Sequence, residues 1–304
     1  MKILITGSNG MLGSDLVAIL SPHYQIAGLG LNDNDHSSIP YFKTDISNPS
    51  AVLNAVHSFK PAIIIHCAAY TDVDGCELEP NQAYRINTKG TQYLAEASDQ
   101  VGATIFFISS DYVFDGTKTG PYLESDRGNP VSVYGRSKFE AEEWLKSNCH
   151  SASIIRSSWL YGKIGKNFFR SILQRVKDQK ELSVVNDQKG GPTYSKDLAI
   201  GLKLFLERSS RPKGCEIYHL ANQGAVSWHE VAKELLQEMK ISKEIKPISS
   251  AELNHAAKRP ANSVFDMSKM RTRYGIELRS WNEAFRDFWD EVLKFEWQEM
   301  CHKL

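Results

Sequence analysis

The stretch that decides the fold reads KILITGSNGMLG and runs from Lys2 to Gly13. A short apolar run in this stretch ends at Gly7, and a segment with helical spacing begins at Met11. Short apolar runs are typical of buried strands, and apolar residues three and four apart are typical of helices. The stretch therefore predicts a strand, a tight loop and a helix in direct succession.

The glycines of this loop, Gly7, Gly10 and Gly13, are spaced G-x-x-G-x-x-G, whereas the commonest dinucleotide fingerprint is G-x-G-x-x-G. Gly7 permits the tight exit from the strand, Gly10 lets the backbone approach a pyrophosphate, and Gly13 allows close packing of helix on strand. The helix N-terminus adds free N–H groups and a positive dipole. No G-K-[ST] follows, which excludes a P-loop. We predict a dinucleotide site, with a purely structural turn as the alternative.

Strand-like and helix-like segments alternate through the first half of the chain, and the apolar runs are uninterrupted. This pattern favours strands buried on both faces and right-handed crossovers. The predicted fold class is α/β: a Rossmann-like doubly wound parallel sheet with a smaller, mixed α/β C-terminal substrate lobe. We expect residues 1–160 to form the dinucleotide-binding domain, completed by later segments, and residues 161–304 to form mainly the substrate-binding lobe. The predicted strands are Lys2–Thr6, Tyr24–Leu29, Ala62–Cys67, Thr104–Ser109 and Ser153–Arg156, and the predicted helices are Met11–Leu20, Ala51–Phe59, Gln82–Gln100 and Lys138–Ser147.

The second half of the chain is less regular. Asn186–Pro192 is predicted to be a loop, and Ser227 with Glu230 forms a capping box that opens a helix over Trp228–Met239. A last helix is predicted over Ser280–Leu293. Its aromatic residues stand at helical spacing and are expected in the core: Trp281, Phe285, Phe288 and Trp289.

Composition and charge narrow the class of protein. Lys and Arg together number 36, as do Asp and Glu, so no polybasic surface for nucleic acid or anionic lipid is expected. The five cysteines form no C-x-x-C, which speaks against a disulfide framework or a zinc site and favours a reducing compartment. The N-terminal apolar run is too short for a signal peptide, and no segment has roughly 18 consecutive apolar residues. We expect a cytoplasmic protein with no nucleic-acid partner and no membrane span.

A tyrosine and a lysine stand four residues apart in VYGRSK. On any helix that spacing places Tyr134 and Lys138 side by side, so alone it is weak evidence for catalysis. A ketone that accepts a hydride also needs a proton, which tyrosine can donate, and a nearby ammonium lowers the tyrosine pKa from about 10. Ser110 follows a predicted strand and can hold the substrate oxygen. Because Ser110, Tyr134 and the glycine loop fall at one edge of the predicted sheet, we predict that Ser110, Tyr134 and Lys138 are catalytic.

The sequence leaves the choice of coenzyme open. An acidic residue at the end of the second strand favours the ribose 2′-hydroxyl of NAD(H), and an arginine favours the 2′-phosphate of NADP(H). Leu29 and Gly30, at the predicted strand end, are neither acidic residues nor arginines, and Asp33 lies further along the chain. NADPH and NADH are therefore both candidates.

Several motifs together resemble a known family: ITGSNGMLG, HCAAYTDVDGCE, SSDYVFDG, PYLESD, NPVSVYGRSKFEAEE, RSSWLYG, GGPTYSKDLA and RPANSVFD. They extend to about residue 266. The chain resembles the extended short-chain dehydrogenase/reductases, and within them the dTDP-4-dehydrorhamnose reductase family. The resemblance implies NAD(P)H-dependent reduction of the C4 ketone of dTDP-4-dehydro-L-rhamnose to dTDP-L-rhamnose, for polysaccharide biosynthesis. Analogy with this family also leads us to expect a homodimer.

The resemblance implies roles for individual residues. Ser110, Tyr134 and Lys138 match the catalytic positions, and the family usually has threonine where Ser110 stands, which keeps the hydroxyl. Some members bind magnesium between subunits, but its ligands cannot be assigned here, and no metal is predicted. The implied cofactor contacts, with the glycine loop, are Gly7, Asn9, Gly10, Met11, Leu12, Gly13, Asp45, Ile46, Ala68, Ala69, Tyr70 and Asn87. The implied substrate contacts are Thr71, Val73, Asp111, Tyr112, Trp159 and Arg259.

Several of these residues have structural alternatives. Asp45 could cap the helix after Asn48, Trp159 could belong to the core, and the adjacent alanines could be small only for packing. Arg259 could bind the pyrophosphate of the nucleotide or form a structural salt bridge. His66, at the end of an apolar run, is interpreted as structural.

Two other functions stay open. An epimerase, a 4,6-dehydratase or a reductase of another nucleotide-linked keto-sugar would use the same fold. Dehydratases usually carry an acidic pair beside the Ser/Thr, but here Asp111 is followed by Tyr112. A non-catalytic subunit resembling the regulatory subunit of methionine adenosyltransferase would not need hydroxyl, tyrosine and lysine together, and this chain has all three.

Overall fold

The computed structural model describes residues 1–33, 38–178 and 181–302. Its strands are β1 Lys2–Thr6, β2 Gln25–Gly30, β3 Tyr41–Lys43, β4 Ile63–His66, β5 Thr104–Ser110, β6 Ser151–Ser157, β7 Leu160–Tyr161, β8 Leu182–Val185, β9 Lys189–Gly190, β10 Thr193–Tyr194, β11 Gly214–His219, β12 Val226–Ser227 and β13 Ile245–Ile248. Its α-helices are α1 Met11–Leu20, α2 Pro49–Phe59, α3 Val73–Leu78, α4 Pro80–Ala83, α5 Gly90–Gln100, α6 Val133–Asn148, α7 Phe168–Asp178, α8 Ser195–Arg208, α9 Trp228–Glu238, α10 Ser268–Tyr274, α11 Trp281–Phe288 and α12 Lys294–His302. Two π-helical segments cover Tyr84–Lys89 and Trp289–Leu293, and 3₁₀ turns cover Asp111–Val113 and Ser250–Glu252.

Seven of these strands form one parallel sheet in the order β11-β6-β5-β4-β1-β2-β3. Thr6 at the end of β1 lies opposite His66 at the end of β4. The strand order reverses between these two strands, and in such sheets ligands bind in the crevice at the carboxyl ends next to the reversal. The doubly wound α/β fold class is therefore confirmed.

Alternate side chains of each strand supply a core on each face of the sheet. Ile3 and Ile5 of β1 face a core formed with α1, α8 and α10, whereas Leu4 faces a core formed with α2, α5 and α6. All three side chains are fully buried. Burial of both faces explains why the predicted strands read as uninterrupted apolar runs.

Segments from the second half of the chain complete the sheet. Strand β11 pairs with β6, with His219 opposite Arg156, and α8 packs on α1. The division of the chain near residue 160 into a dinucleotide-binding and a substrate-binding part stays a prediction.

A separate hydrophobic core lies between α7, α9 and α11. Three two-stranded sheets accompany it, β10-β7, β12-β9 and β13-β8. The aromatic residues that were expected in the core are all buried there: Trp281, Phe285, Phe288 and Trp289. The C-terminal lobe is thus of mixed α/β type.

Some predicted boundaries in the second half were wrong. Ser280–Leu293 is not the last helix, because the chain continues as α12, from which Trp297 and Met300 pack half-buried against the lobe core. The predicted loop Asn186–Pro192 contains the short strand β9. The capping box of Ser227 and Glu230 is confirmed at the start of α9.

Several buried polar side chains lie together where β6 and β11 meet α6. Arg156 Nη2 lies 2.5 Å from Glu142 Oε2, and both side chains are at most 2 % exposed. The ring of His219 stacks on Phe265 at 4.2 Å between centroids.

Among the described residues, no helix is both long enough and apolar enough to cross a lipid bilayer.

Candidate active site

The glycine loop between β1 and α1 has the shape of a pyrophosphate cradle. Gly7 has a φ of +67°, and a Cβ on it would lie 2.9 Å from the backbone nitrogen of Ala68. A Cβ on Gly13 would lie 2.0 Å from the carbonyl oxygen of Gly7. No side chain caps α1 at Gly10, so the first N–H groups of this helix are left for an anion.

Two of the residues assigned to the cofactor contribute their side chains to the core instead. Leu12 and Ile46 are each 4 % exposed and pack on opposite faces of the sheet. Any contact that they make with a cofactor would therefore use their backbone. Met11 is half-buried and lies close to Gly162, at the start of the C-terminal half.

Polar side chains gather at the end of β2. Asn9 Nδ2 donates to the backbone oxygen of Asp33 at 2.6 Å, and Lys43 Nζ lies 2.7 Å from the Asp33 carboxylate. Asp45 accepts a hydrogen bond from the backbone N–H of Ser47. The alternative that Asp45 caps the following helix is wrong, because Asn48 caps α2 by accepting from the N–H of residue 51.

The segment after β4 is fixed by Asn87, in the π-helical segment before α5. Asn87 Oδ1 accepts from the backbone N–H of Tyr70 at 2.7 Å, and Nδ2 donates to the Tyr70 carbonyl and to the Ser137 hydroxyl. Asn87 is 1 % exposed, so its visible role is to join Ala68–Tyr70 to α6. His66 is equally buried, and its ring nitrogens contact the hydroxyls of two threonines, which agrees with a structural role.

The three predicted catalytic residues meet at the carboxyl ends of the central strands. Ser110 ends β5, and Tyr134 and Lys138 lie in the first turns of α6. Tyr134 is near enough to Ser110 for Ser110 to affect the pKa of its phenol. Gly135 lets the start of α6 pack closely on the segment after β5, because a Cβ at this position would lie 2.1 Å from the backbone oxygen of Tyr112.

The ammonium group of Lys138 lies among backbone and aromatic groups of β5. Its Nζ donates to the carbonyl oxygen of Ile108 at 2.7 Å and lies 4.0 Å from the centroid of the Phe107 ring. Burial lowers the pKa of Lys138 to about 7. The ammonium therefore exchanges protons close to neutral pH.

Burial also controls the protonation of the tyrosine. It raises the pKa of Tyr134, a hydrogen bond with Ser110 opposes the rise, and Asp111 and Tyr112 add to it. The pKa of Tyr134 is therefore raised, where we expected Lys138 to lower it. At neutral pH Tyr134 is a neutral phenol, which is the form that can donate a proton.

Beside this group, Asp111 and Tyr112 connect the catalytic residues to the C-terminal lobe. Asp111 is 1 % exposed and accepts a hydrogen bond from the Ser110 hydroxyl at 2.9 Å. The Tyr112 ring lies edge-on to the ring of Tyr134, at 5.5 Å between centroids. Arg259 lies against Tyr112 and binds the Asp74 carboxylate through both terminal nitrogens, at 2.8 and 3.3 Å.

Arg259 therefore forms a structural salt bridge with Asp74, which was the alternative to binding a pyrophosphate. Thr71, which is exposed, and Val73, which is half-buried, lead into α3 next to Asp74. Thr71 and Val73 thus lie next to Asp74, which binds Arg259. Their contact with a substrate stays a prediction.

Trp159 lies beyond the end of β6 in a left-handed backbone conformation with φ of +45°. Its indole stacks on Trp228 at 3.6 Å between centroids and 7° between planes, and Phe168 packs on Trp228 in turn. A Cβ on Gly190 would lie 2.4 Å from the Trp159 ring. Trp159 is half-buried, so it belongs both to the edge of the lobe core and to the surface.

Three residues of this region were missed by reading the sequence. Lys43 lies in a strand of three residues that has no visible apolar pattern, and Asp74 reads as one of several acidic residues at the start of a helix. Trp228 was identified only as the first residue of a capped helix. A signal for Trp228 was present, because a large aromatic side chain at the start of a helix needs an apolar neighbour.

The chain is similar to known proteins along nearly its whole length. Residues 1–294 match the family model described as the RmlD substrate binding domain. The dTDP-4-dehydrorhamnose reductase of Aggregatibacter actinomycetemcomitans is 38 % identical over 294 residues, which are 94 % of this chain and 97 % of that protein. The spore coat polysaccharide biosynthesis protein SpsK of Bacillus subtilis is 37 % identical over 292 residues, covering 95 % of this chain and 97 % of that protein.

A crystal structure of dTDP-4-dehydrorhamnose reductase from Bacillus anthracis in complex with NADP superposes with a TM-score of 0.87. Its sequence is 37 % identical, and the match covers 96 % of this chain and 99 % of that one. This chain therefore belongs to the RmlD substrate binding domain family.

Proposed function

We propose that this chain reduces the C4 ketone of dTDP-4-dehydro-L-rhamnose to dTDP-L-rhamnose with NADPH or NADH. Relatives with the corresponding name match over nearly their whole length, and one of them is in complex with NADP. The observation that carries the proposal is the position of Ser110 and Tyr134. Ser110 ends β5 and Tyr134 lies in the first turn of α6, at the sheet edge that also holds the glycine loop.

Each catalytic residue has a distinct part in the reaction. When bound, the nicotinamide supplies a hydride to the carbonyl carbon of the substrate. Tyr134 donates its phenolic proton to the carbonyl oxygen, so that the C=O bond becomes a CH–OH group. Ser110 orients that oxygen, and the Lys138 ammonium stabilises the phenolate that Tyr134 becomes.

The glycine loop suits the cofactor because Gly7 and Gly13, where a Cβ would meet the backbone of Ala68 and of Gly7, let β1 turn tightly into the N-terminus of α1. The uncapped start of α1 would supply N–H groups to its oxygens. Met11, Ala68 and Ala69 are half-buried and border this space. The other residues in this proposed site are Asn9, Gly10, Leu12, Asp45, Ile46, Tyr70 and Asn87.

The substrate would occupy the space between the catalytic group and the C-terminal lobe. The flat Trp159 ring suits the apolar C–H face of a sugar. The residues that would complete the pocket are Thr71, Val73, Asp111 and Tyr112. Arg259 would bind the diphosphate, for which its guanidinium must loosen from Asp74.

The test is oxidation of NADPH or NADH with dTDP-4-dehydro-L-rhamnose generated in situ. We expect turnover by the wild type and a loss of about 10²- to 10⁴-fold in Tyr134→Phe, because the variant cannot donate the proton. Coenzyme binding should persist in the variant. Tyr93→Phe is the matched control, since Tyr93 lies in α5 and packs against the core shared with α2, and it should keep full activity.

Turnover that survives Tyr134→Phe would exclude this tyrosine as the proton donor. If the wild type binds coenzyme but does not turn over, the rhamnose assignment is wrong. The search would then pass to another keto-sugar, to an epimerase or to a regulatory partner.

A further inference from the structure

Helix α3 is too short to hold its place alone. It has six residues, and a helix of that length is marginal in water without tertiary contacts. It packs on α6, and its Cys76 is fully buried, with Sγ 3.6 Å from the carbonyl oxygen of Tyr70. The polar side chains of α3 therefore decide which other parts of the molecule this helix is fixed to.

Two acidic side chains fix α3 itself. Asp72 caps its first turn by accepting from the backbone N–H of Gly75 at 3.0 Å. Asp74 accepts from the backbone N–H of Ala257 at 2.9 Å and from both terminal nitrogens of Arg259. Ala257 lies 183 residues further along the chain, so Asp74 ties α3 to a distant segment of the protein.

Glu77, in the last turn of α3, reaches the first residue of α6. Its Oε1 accepts from the backbone N–H of Val133 at 2.7 Å. The first N–H groups of a helix have no partner within the helix, and a carboxylate is a strong acceptor for them. Cys76 and Val133 also share a small buried cluster, and Tyr134 packs against it. A hydrogen bond and an apolar contact thus join α3 to the start of α6.

Helix α6 already has a local cap, so the role of Glu77 needs another explanation. Ser132 is fully buried, and its Oγ accepts from the backbone N–H of Gly135 at 3.1 Å. A local cap fixes where the helix begins in the sequence, but it does not fix that point relative to other elements. Glu77 lies 56 residues from Val133 in the chain, so its hydrogen bond fixes the start of α6 relative to α3.

Building on the proposed function, we infer that Glu77 is a positioning residue, which holds Tyr134 in place for proton transfer through the start of α6. Tyr134 directly follows Val133, so a shift of the Val133 backbone also moves the phenol. A proton donor must lie within hydrogen-bonding reach of the atom that it protonates. A displacement of about 1 Å can therefore slow the reaction strongly.

The plainer alternative is that Glu77 only stabilises α6. A cap of this kind raises the free energy of unfolding and leaves the turnover of each folded molecule unchanged. The two roles therefore differ in kcat and in the surroundings of the Tyr134 ring.

The kinetic test compares Glu77→Ala with Glu77→Gln in the coenzyme oxidation assay. Alanine removes the acceptor, whereas glutamine keeps an oxygen of similar reach and removes only the charge. We expect Glu77→Ala to lower kcat about tenfold and to keep the KM for the keto-sugar and the Kd of the coenzyme within about twofold, because only the proton donor is displaced. Glu77→Gln should restore most of the lost kcat.

Glu283→Ala is the matched control. Glu283 Oε2 accepts from the backbone N–H of Ser280 at 3.0 Å, so this variant loses the same kind of hydrogen bond at the start of α11, in the C-terminal lobe. It should lose stability and keep its kcat. If Glu77→Ala does not fold, Glu77→Asp keeps the charge and shortens the reach by one methylene, and it is expected to lower kcat in the same direction.

A second measurement needs no substrate. When 3-fluorotyrosine replaces the 12 tyrosines, the ¹⁹F resonance of Tyr134 is the one that disappears in Tyr134→Phe. We expect this resonance to shift or broaden in Glu77→Ala, to return toward its wild-type position in Glu77→Gln, and to stay unchanged in Glu283→Ala. The glutamine variant separates movement of the ring from loss of a nearby charge.

A wild-type kcat in Glu77→Ala, with only the stability lowered, would overturn the positioning role. So would a Glu77→Gln variant as slow as Glu77→Ala, since glutamine can still hold the N–H of Val133. A displaced Tyr134 resonance in a protein whose wild type does not turn over the keto-sugar would refute the proposed reaction and leave the positioning of Tyr134 by Glu77 standing. Normal turnover with an unmoved resonance would refute the positioning alone.

Discussion

Arg259 illustrates how one neighbour limits what a cation can do. Its guanidinium is bound by Asp74 and by the carbonyl oxygen of Ala257 at 2.9 Å. Burial raises the pKa of Asp74, but hydrogen bonds from Arg259 and Ala257 outweigh this effect and lower the pKa to about 2. The carboxylate is therefore charged at any physiological pH. A substrate diphosphate must compete with this permanent partner, which reduces the net contribution of Arg259 to affinity.

Lys43 is placed to decide the choice of coenzyme. It ends β3, and its ammonium lies beside Asp33 just beyond β2, where related sheets contact the adenosine ribose. We expect Lys43→Met to lower kcat/KM for NADPH about tenfold, because a charge-assisted contact with the 2′-phosphate is lost, and to change NADH little. The measurement is the ratio of the two kcat/KM values.

Lys146→Met is a suitable control for this ratio, because Lys146 is an exposed lysine near the far end of α6. An equal loss of kcat/KM with both coenzymes in Lys43→Met would mean that Lys43 stabilises the segment around Asp33 and does not bind the 2′-phosphate.

At the scale of the element, the glycine loop owes its function to the close approach of α1 to β1. We expect Gly13→Ala to lower the free energy of unfolding by about 1–3 kcal/mol and to weaken coenzyme binding at least tenfold, because its Cβ would meet the backbone of Gly7 at 2.0 Å. Gly120→Ala is the control, since no atom lies within 4 Å of its Cβ. Thermal unfolding and coenzyme titration by fluorescence measure the two effects, and wild-type values for Gly13→Ala would refute the tight-packing argument.

The elements of the first half could be predicted because each one carries its own signal. Lys2–Thr6 and Met11–Leu20 were predicted with the observed bounds, since both faces of the strand are buried and the helix has one apolar stripe. Strand β11 and the stacking of Trp159 on Trp228 were not predictable in this way. They depend on partners more than 50 residues away in the chain, and no local pattern records such a partner.

The same reasoning explains what was predicted of the site. Ser110, Tyr134 and Lys138 were found because strand ends and a helix start meet at one sheet edge, which topology alone determines. The rise in the pKa of Tyr134 was not predicted, since it follows from how deeply the phenol is buried and from the charge of Asp111. Burial depth is a property of the packed molecule.

At the scale of the whole molecule, two buried histidines tie stability to pH. Burial, followed by the nearby Arg156 charge, lowers the pKa of His219 to about 3, and burial lowers the pKa of His66 well below its usual value of 6.5. The unfolded chain therefore binds more protons than the folded one below pH 6.5, and stability is lost as the pH falls through this range. Asp111, whose folded pKa is raised to about 6, offsets part of this loss between about pH 6 and 4.

We expect His219→Gln to flatten this acid loss by about 1.4 kcal/mol per pH unit, because one proton-linked group is removed. Urea unfolding between pH 7 and pH 5 measures the slope of the unfolding free energy. His23→Gln, at an exposed position, is the control. An unchanged slope in His219→Gln would show that His219 is not the group responsible, whatever the absolute stability of the variant.

The late arrival of β11 in the main sheet has a consequence for synthesis on the ribosome. When β6 has emerged, translation must continue from Ser157 to Gly214 before its neighbour exists, which takes on the order of seconds. During this interval β6 is an open edge with unpaired backbone groups, and the outer face of α1 lacks the cover of α8. The first half of the chain therefore cannot complete its sheet until β11 has been synthesised, and until then it exposes a strand edge at which nascent chains could associate.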